Sequence, residues 1–421
     1  MVMVMVGCKI PQVSQPAETN QLPASFNENS DSSHTDIVQW RNFFTDKDLQ
    51  SLVDSALANN QELRITLQEI EIARNEILSR KAALIPTVGL NAGLGVEKVG
   101  RYTSQGAGDA TTEIKPGKEM PDPLPNFGVA AVANWEVDIW KKLHNAKQAA
   151  VTRYLATVEG RNFVLTNLIS EVANSYYELL ALDNKLAIVE QNIALQKNAL
   201  EIVKVQKEAA RATELAVQKF QAEVLSSQSL EYEIRQNIKE TENRINFLLG
   251  RYPQEIRRST ANFLTMVPPS INAGIPSQLL INRPDIHQAE LELEAAKLDV
   301  KVARAEFYPS IEISAALGLN SFSPSYLVKL PESLLYSLAG DLVAPLINRN
   351  RIKAEYLSMN ARQTQALYSY QRTTLNAFLE VSTQMSNVSN LQKNYELKAQ
   401  QVDALTKSIE VSNDLLIDHL I

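Results

Sequence analysis

A helix that turns into a strand at a proline is written twice into this sequence. In the second copy Ile286, Ala289, Leu293, Ala296, Val300, Ala303 and Phe307 recur at alternating steps of three and four, a helical apolar seam. Pro309 ends the helix, because proline lacks an N–H and pushes Tyr308 out of the α region. Ile311, Ile313, Ala315 and Leu317 then alternate with Glu312, Ser314 and Ala316, which is the period of a strand. The first copy lies 223 residues earlier, with Pro86 under Pro309. There Leu63, Ile70, Ala73, Ile77 and Leu84 hold the seam, and Val88, Leu90 and Ala92 begin the strand. Two such units imply an internal duplication.

Glycine and proline then mark out the helices. Between Gly128 and Gly250 the only glycine is Gly160 and there is no proline, and neither residue occurs after Pro345. From Leu165 to Val203 an apolar ladder runs through Leu168, Val172, Ser175, Leu179, Leu182, Leu186, Val189, Ile193, Gln196 and Leu200. The reading is a helix over 46–84, a long helix over 141–212, and a third over 214–249. Thr213 and Glu214 serve as N-cap and first turn, and Gly250 and Pro253 form the stop. At 1.5 Å per residue the long helix spans ~108 Å, and the other two together span about the same. That fits an antiparallel coiled-coil wall with left-handed coiling.

Four strands are expected, at 87–96, 127–139, 310–319 and 336–346, with a loop over 97–126. The clearest is 127–139: Val129, Ala131, Ala133, Trp135, Val137 and Ile139 point one way, and Ala130, Val132, Asn134, Glu136 and Asp138 the other. That alternation suits a half-buried sandwich strand or a barrel strand, apolar to lipid and polar to a lumen, with Trp135 and Trp140 at the interface. A sandwich needs more partner strands than this chain offers, so the barrel is preferred. Four strands cannot close one, and open edges in lipid are prohibitively costly. Several copies must share it, two giving eight strands and three giving twelve.

Other classes fit poorly. Net charge is −7, from 41 basic and 48 acidic residues, with no basic cluster, which disfavours nucleic acid. No apolar run reaches the ~18 residues of a spanning helix. The four histidines, 34, 144, 287 and 419, are scattered, and no HExxH, CxxC or phosphate-binding glycine loop occurs. Neither an enzyme nor a cofactor or metal site is expected. A coiled-coil scaffold of the envelope would explain the helices but not the strands.

The segments PSQLL (276–280), NRPDI (282–286) with Ala289 and Glu290 after it, ARAEFYPSI (303–311) and Gly318 resemble the signature of TolC-type outer membrane efflux proteins. The lipoprotein branch serving resistance–nodulation–division (RND) pumps is the nearest likeness, and it covers the chain from about Trp40. The resemblance implies a mainly α fold with a small transmembrane β part. Three copies, four strands each, would share a trimeric 12-stranded β-barrel continued by an α-helical barrel across the periplasm. It implies a passive exit duct for drugs or other small solutes, working with a periplasmic adaptor (membrane fusion) protein and an inner-membrane RND transporter. A duct for type I protein secretion is the alternative within the same family.

The remaining expectations take the resemblance together with position, since position alone leaves Cys8 open between an incidental thiol and a lipid anchor. Residues 1–8 read as the end of a lipoprotein signal, with Gly7 before a Cys8 that would carry lipid. Residues 9–44 read as an extended tether, 45–250 as the first repeat, 251–276 as a connector and 277–421 as the second. Asn134, Glu136 and Asp138 are lumen-lining candidates. Arg211, Thr213, Glu214 and Lys219 mark the candidate periplasmic tip, where the adaptor would dock. Trp140 aligns with Ile347, so a second long helix from 348 should reach its own tip near residue 420. On this reading the returning helix is missing and the sequence is truncated, so a channel made from it would be leaky.

Overall fold

The computed structural model describes residues 10–16, 23, 26, 39–260, 263, 276–344 and 350–418. Cys8, most of the tether and most of 261–275 lie outside the described residues. In order the elements are α1 (Trp40–Phe43), α2 (Lys47–Asn59), α3 (Gln61–Ala82), β1 (Thr87–Glu97), α4 (Ser104–Asp109), β2 (Glu113–Lys115), β3 (Lys118–Glu119) and β4 (Leu124–Val137). Then follow α5 (Lys142–Glu208), α6 (Glu214–Leu248), α7 (Ser277–Asn282), α8 (Pro284–Ala305), β5 (Ser310–Ser321), α9 (Pro324–Leu327), β6 (Leu334–Val343) and α10 (Asn350–Asp418). The run α3–β1–β4–α5 thus recurs as α8–β5–β6–α10.

Two compact units emerge. One holds 1–18, 70–156 and 289–370, and the other holds 19–69, 157–288 and 371–421. In the first, the four long strands form one antiparallel sheet in the order β1-β4-β5-β6. The β4–β5 pairing, from Phe127↔Ser321 to Val137↔Ile311, joins the two repeats. Gly318 sits at the tightest point of this pairing: a Cβ there would meet the Val129 carbonyl oxygen at 2.3 Å and the Ala130 Cα at 2.5 Å. Beside the sheet, Phe307 of α8 packs edge-on against Tyr356 of α10, with Ala303 and Ile352 buried around them.

The second unit is a helical wall. Leu49, Val53 and Ala56 of α2 pack with Val172, Tyr176 and Leu179 of α5 and with Ile245 of α6. Further along, Val189 and Ile193 of α5 meet Ile234 of α6, and Leu200 meets Val217 and Val224. These are the ladder positions, so the three–four period is the α5–α6 seam. The start of the connector belongs to this unit too. Ile256 is buried in the main cluster, and Arg258 lies between Asp183 of α5 and Glu242 of α6.

Several boundaries differ from expectation. The helix read over 46–84 breaks at Asn60, whose side chain accepts from the Leu63 N–H and donates to the Leu248 carbonyl, 2.9 Å each. An asparagine that caps one helix while tying down another overrides a continuous seam. The loop over 97–126 contains α4 and the β2–β3 hairpin. The strand read over 127–139 is shifted to Leu124–Val137, leaving Asp138 and Ile139 outside it, and the last strand starts at Leu334 rather than 336. The long helix read over 141–212 ends at Glu208. Ala210 takes φ +56°, the Ala210 N–H bonds to the Lys207 carbonyl and the Arg211 N–H to the Gln206 carbonyl. That is a Schellman stop without its usual glycine. Gly250, at φ +66°, closes α6 with the same pair of bonds.

Candidate functional site: a two-faced sheet and a helical tip

Strand register assigns every sheet residue to a face, since paired residues share one. One face carries Val88, Leu90 and Leu94 of β1, Phe127, Val129 and Trp135 of β4, Ile311, Ile313, Leu317 and Leu319 of β5, and Leu334, Tyr336, Leu338 and Leu342 of β6. Leu90 and Leu338 are 84% and 79% exposed, so the described residues leave the outer strands of this face uncovered. The opposite face carries mostly glycine, alanine and small polar groups, Gly89, Asn91 and Gly93, Ala130 and Asn134, Ser314, Ala316 and Gly318, Ser337 and Ala339, with Val132 among them and Leu124, Leu335 and Val343 near the strand ends. An uncovered apolar face of leucine and valine would be untenable in water but is what lipid requires.

At the helix-proximal end of the polar face Glu136 pairs with Glu312, and Glu312 with Asp341. Three carboxylates thus stand abreast on β4, β5 and β6. Like charges on facing strand positions repel. The Lys142 ammonium, 2.5 Å from a Glu136 oxygen, offsets one of them. Asn134 and Glu136 therefore lie on the face expected from their period. Asp138 does not. It has left the strand, and its two oxygens accept the Leu143 and His144 N–H groups at 2.9 and 2.8 Å and contact His144 Nδ1 at 2.5 Å. Lys141, at φ +56°, makes the turn that brings Asp138 under the free N–H groups of α5. Burial alone would raise the Asp138 pKa. The bonds from the His144 side chain and from the His144 and Leu143 backbone outweigh it, and the carboxyl sits below its ordinary value.

Glu312 and Asp341 were missed as site residues, although the signal was present. Each is the single acid between apolar neighbours in a period-two run, as Glu136 is. Both indoles tie the sheet to the helix ends beside it: Trp135 Nε1 donates to the Leu84 carbonyl and Trp140 Nε1 to the Pro309 carbonyl, with Trp140 stacked on Tyr308 at 4.7 Å.

The tip residues come together at the α5–α6 turn. Thr213 Oγ1 accepts from the Ala216 N–H at 3.2 Å, as an N-cap should. Glu214 is ion-paired with Lys207 and accepts from Gln218 Nε2 at 2.8 Å, and the Lys207 contact foremost holds its carboxyl below the usual range. Arg211 and Lys219 are exposed. So is Leu215, at 79%. Among the described residues no group of His, Cys, Asp and Glu could hold a metal ion, and no helix is long and apolar enough to cross a membrane.

Residues 52–251 and 275–414 match the family described as outer membrane efflux protein. The pyoverdine export outer membrane protein OpmQ of Pseudomonas aeruginosa is 29% identical over 382 residues, covering 91% of this chain and 78% of its own. The probable outer membrane lipoprotein SilC of Salmonella typhimurium is 25% identical over 419 residues, covering 98% and 87%. A crystal structure of CusC superimposes with a TM-score of 0.80 at 24% identity, over 96% of this chain and 89% of that one, and shares its fold.

Proposed function

This chain belongs to the outer membrane efflux protein family, and from that premise we propose how its residues build the duct. It is an outer membrane channel of a tripartite efflux pump, a conduit with no catalytic step. Channels of the family are trimers that work with a periplasmic adaptor and an inner-membrane transporter. In the proposed assembly β1 of one copy pairs with β6 of the next, so that three sheets close a barrel of twelve strands. The leucine- and valine-rich face turns to lipid and the glycine-, alanine- and serine-rich face lines the lumen.

The observation that carries this is the in-register segregation of the two faces, which larger aliphatic residues breach at Val132 and, near the strand ends, at Leu124, Leu335 and Val343. Closure through neighbours removes the two open edges, where each unpaired backbone group in lipid costs several kcal/mol. Asn134 and Glu136 are the lumen-lining residues of this reading, joined by Glu312 and Asp341. Repeated in each copy, the three carboxylates form an acidic belt where solute enters the barrel, which favours cations in the local potential. Asp138 serves the wall instead, by fixing the start of α5.

Arg211, Thr213, Glu214 and Lys219 form the tip at which the adaptor docks. Cys8, preceded by Gly7, is the lipid attachment point. A probable lipoprotein aligned over nearly the whole chain supports that assignment.

Single cysteines test the faces. Asn134→Cys and Ser314→Cys should react with a hydrophilic maleimide in outer membranes, while Leu317→Cys and Leu338→Cys should resist it. The opposite pattern would refute the face assignment. Replacing Arg211 and Lys219 by Glu should abolish cross-linking to the adaptor and leave the trimer intact. Cys8→Ser should abolish labelling by a fatty-acid probe.

A further inference from the structure

At the sheet end away from α5 and α10, two loops meet on one phenol. The β1–β4 connection brings Lys115 and Lys118 from its hairpin, and the β5–β6 connection brings Tyr326 of α9 and Lys329. The ammoniums of Lys115, Lys118 and Lys329 lie 5.8, 5.4 and 5.1 Å from the Tyr326 ring centroid. Lys118 Nζ also donates to the Tyr326 oxygen at 3.3 Å. That bond, with the charge of all three lysines, lowers the phenol's pKa. Phe322 braces the ring edge-on at 5.4 Å.

Three cations crowd one half-buried ring at the surface, and each cation–π contact offsets their repulsion by only ~0.5–1 kcal/mol. Among the described residues none of the three lysines is ion-paired with a carboxylate. An anion arriving between them would relieve that repulsion. Space for one exists beside Lys115 and Lys329, with Lys118 just outside the cavity lining. A cavity of about 600 Å³ is lined by Lys115, Tyr326, Lys329 and Phe322, and by Asn126 and Asn320. The two asparagines belong to the polar face and are tied by an Nδ2–Oδ1 bond of 2.8 Å. The cavity therefore adjoins the proposed lumen through these two side chains, while Pro125 and Ser321, of the other face, also line it. Glu97 and Glu332 also line it, so a ligand must present its negative group to the lysines and keep it from the acids.

We infer that this loop cluster is a binding site for small organic anions, carboxylates or phosphates, leaving through the barrel mouth. The inference rests on assigning the polar face to the lumen, but its binding arm is read independently. Citrate is the probe, titrated calorimetrically into the detergent-solubilised full chain. Citrate should bind, more weakly as salt rises, and the Lys115→Gln/Lys118→Gln/Lys329→Gln variant should lose at least about tenfold in affinity. Lys329→Gln alone, on the other loop from the hairpin, should lose part of it and guards against a misfolded triple variant. In planar bilayers citrate added on the loop side should reduce the current of the parent and not of the triple variant.

Equal citrate affinity in parent and triple variant, or no binding by the parent, would overturn the site. Binding without any effect on current would overturn its place in the exit path. If citrate fails to bind and the lysines alter only the affinity for lipopolysaccharide vesicles, the ligand is a lipid headgroup and the solute site is refuted. Failure of the maleimide pattern at Asn134 and Ser314 would strike the lumen assignment and leave the calorimetry standing.

Discussion

Replacing Arg258 by methionine should unseat the start of the connector from the helical wall. The guanidinium donates to both Asp183 oxygens, at 2.5 and 3.0 Å, to a Glu242 oxygen at 2.8 Å and to the Ile256 carbonyl at 2.9 Å. The three charged side chains are only 15%, 19% and 10% exposed. The Asp183 contact foremost holds the guanidinium above its ordinary pKa, so it stays charged at any workable pH. Methionine keeps much of the stem's packing but strands two acids in a poorly solvated place. Removing one partner of a buried ion pair costs ~3–5 kcal/mol, and the residual exposure with Lys239 3.5 Å from Glu242 argues for the lower end, about 3 kcal/mol. Thermal and urea unfolding followed by helical circular dichroism would read the loss. The triple replacement Arg258→Met, Asp183→Leu, Glu242→Leu should recover most of it, because no charge is left unpaired. A single variant within about 1 kcal/mol of the parent, or a triple variant no better than the single, would refute the argument.

The two Schellman stops make opposite predictions. Ala210→Gly should stabilise the tip by ~1 kcal/mol by relieving a left-handed alanine, whereas Gly250→Ala should destabilise by more than that, since its Cβ would lie 2.5 Å from the Asn59 carbonyl oxygen; unfolding midpoints read both. Tyr176→Phe removes the hydroxyl by which a fully buried ring donates to the half-buried Asp46 at 2.9 Å, and should cost ~1.5–3 kcal/mol by the same measurement. Asp138→Ala should cost ~1 kcal/mol at pH 7. A carboxylate with a lowered folded pKa stabilises above its unfolded value of about 4 and loses that contribution as pH falls through the folded value, so the gap to the parent should close in acid.

Much of this fold is legible in the sequence because its two parts use different periods. The three–four ladder from Leu168 to Leu200 names the α5 seam, and the two-residue alternation names the strands and their faces. What escapes the period is set by single side chains answering to distant backbone. Asn60 breaks a helix because the end of α6 needs its amide, and Asp138 quits the strand because α5 needs a cap. The α4 turn and β2–β3 hairpin are short, and their apolar content is too sparse for either period to register. The strand face that carries Asn134 and Glu136 could be read directly. The Glu136–Glu312–Asp341 row could not, because strand adjacency across a gap of some 175 residues is invisible to a local pattern.

The two open edges of the sheet, β1 and β6, also carry a genetic consequence. In the proposed ring each copy offers an edge to both of its neighbours, so a single faulty edge would spoil the whole ring. A proline within β1 or β6 would remove a pairing N–H there and leave the helices able to assemble. In a cell making that variant and the parent in equal amounts, only about one ring in eight would be wholly sound if copies mix at random. Such alleles should act as dominant poisons of export, while a chain too damaged to reach the membrane at all should be recessive.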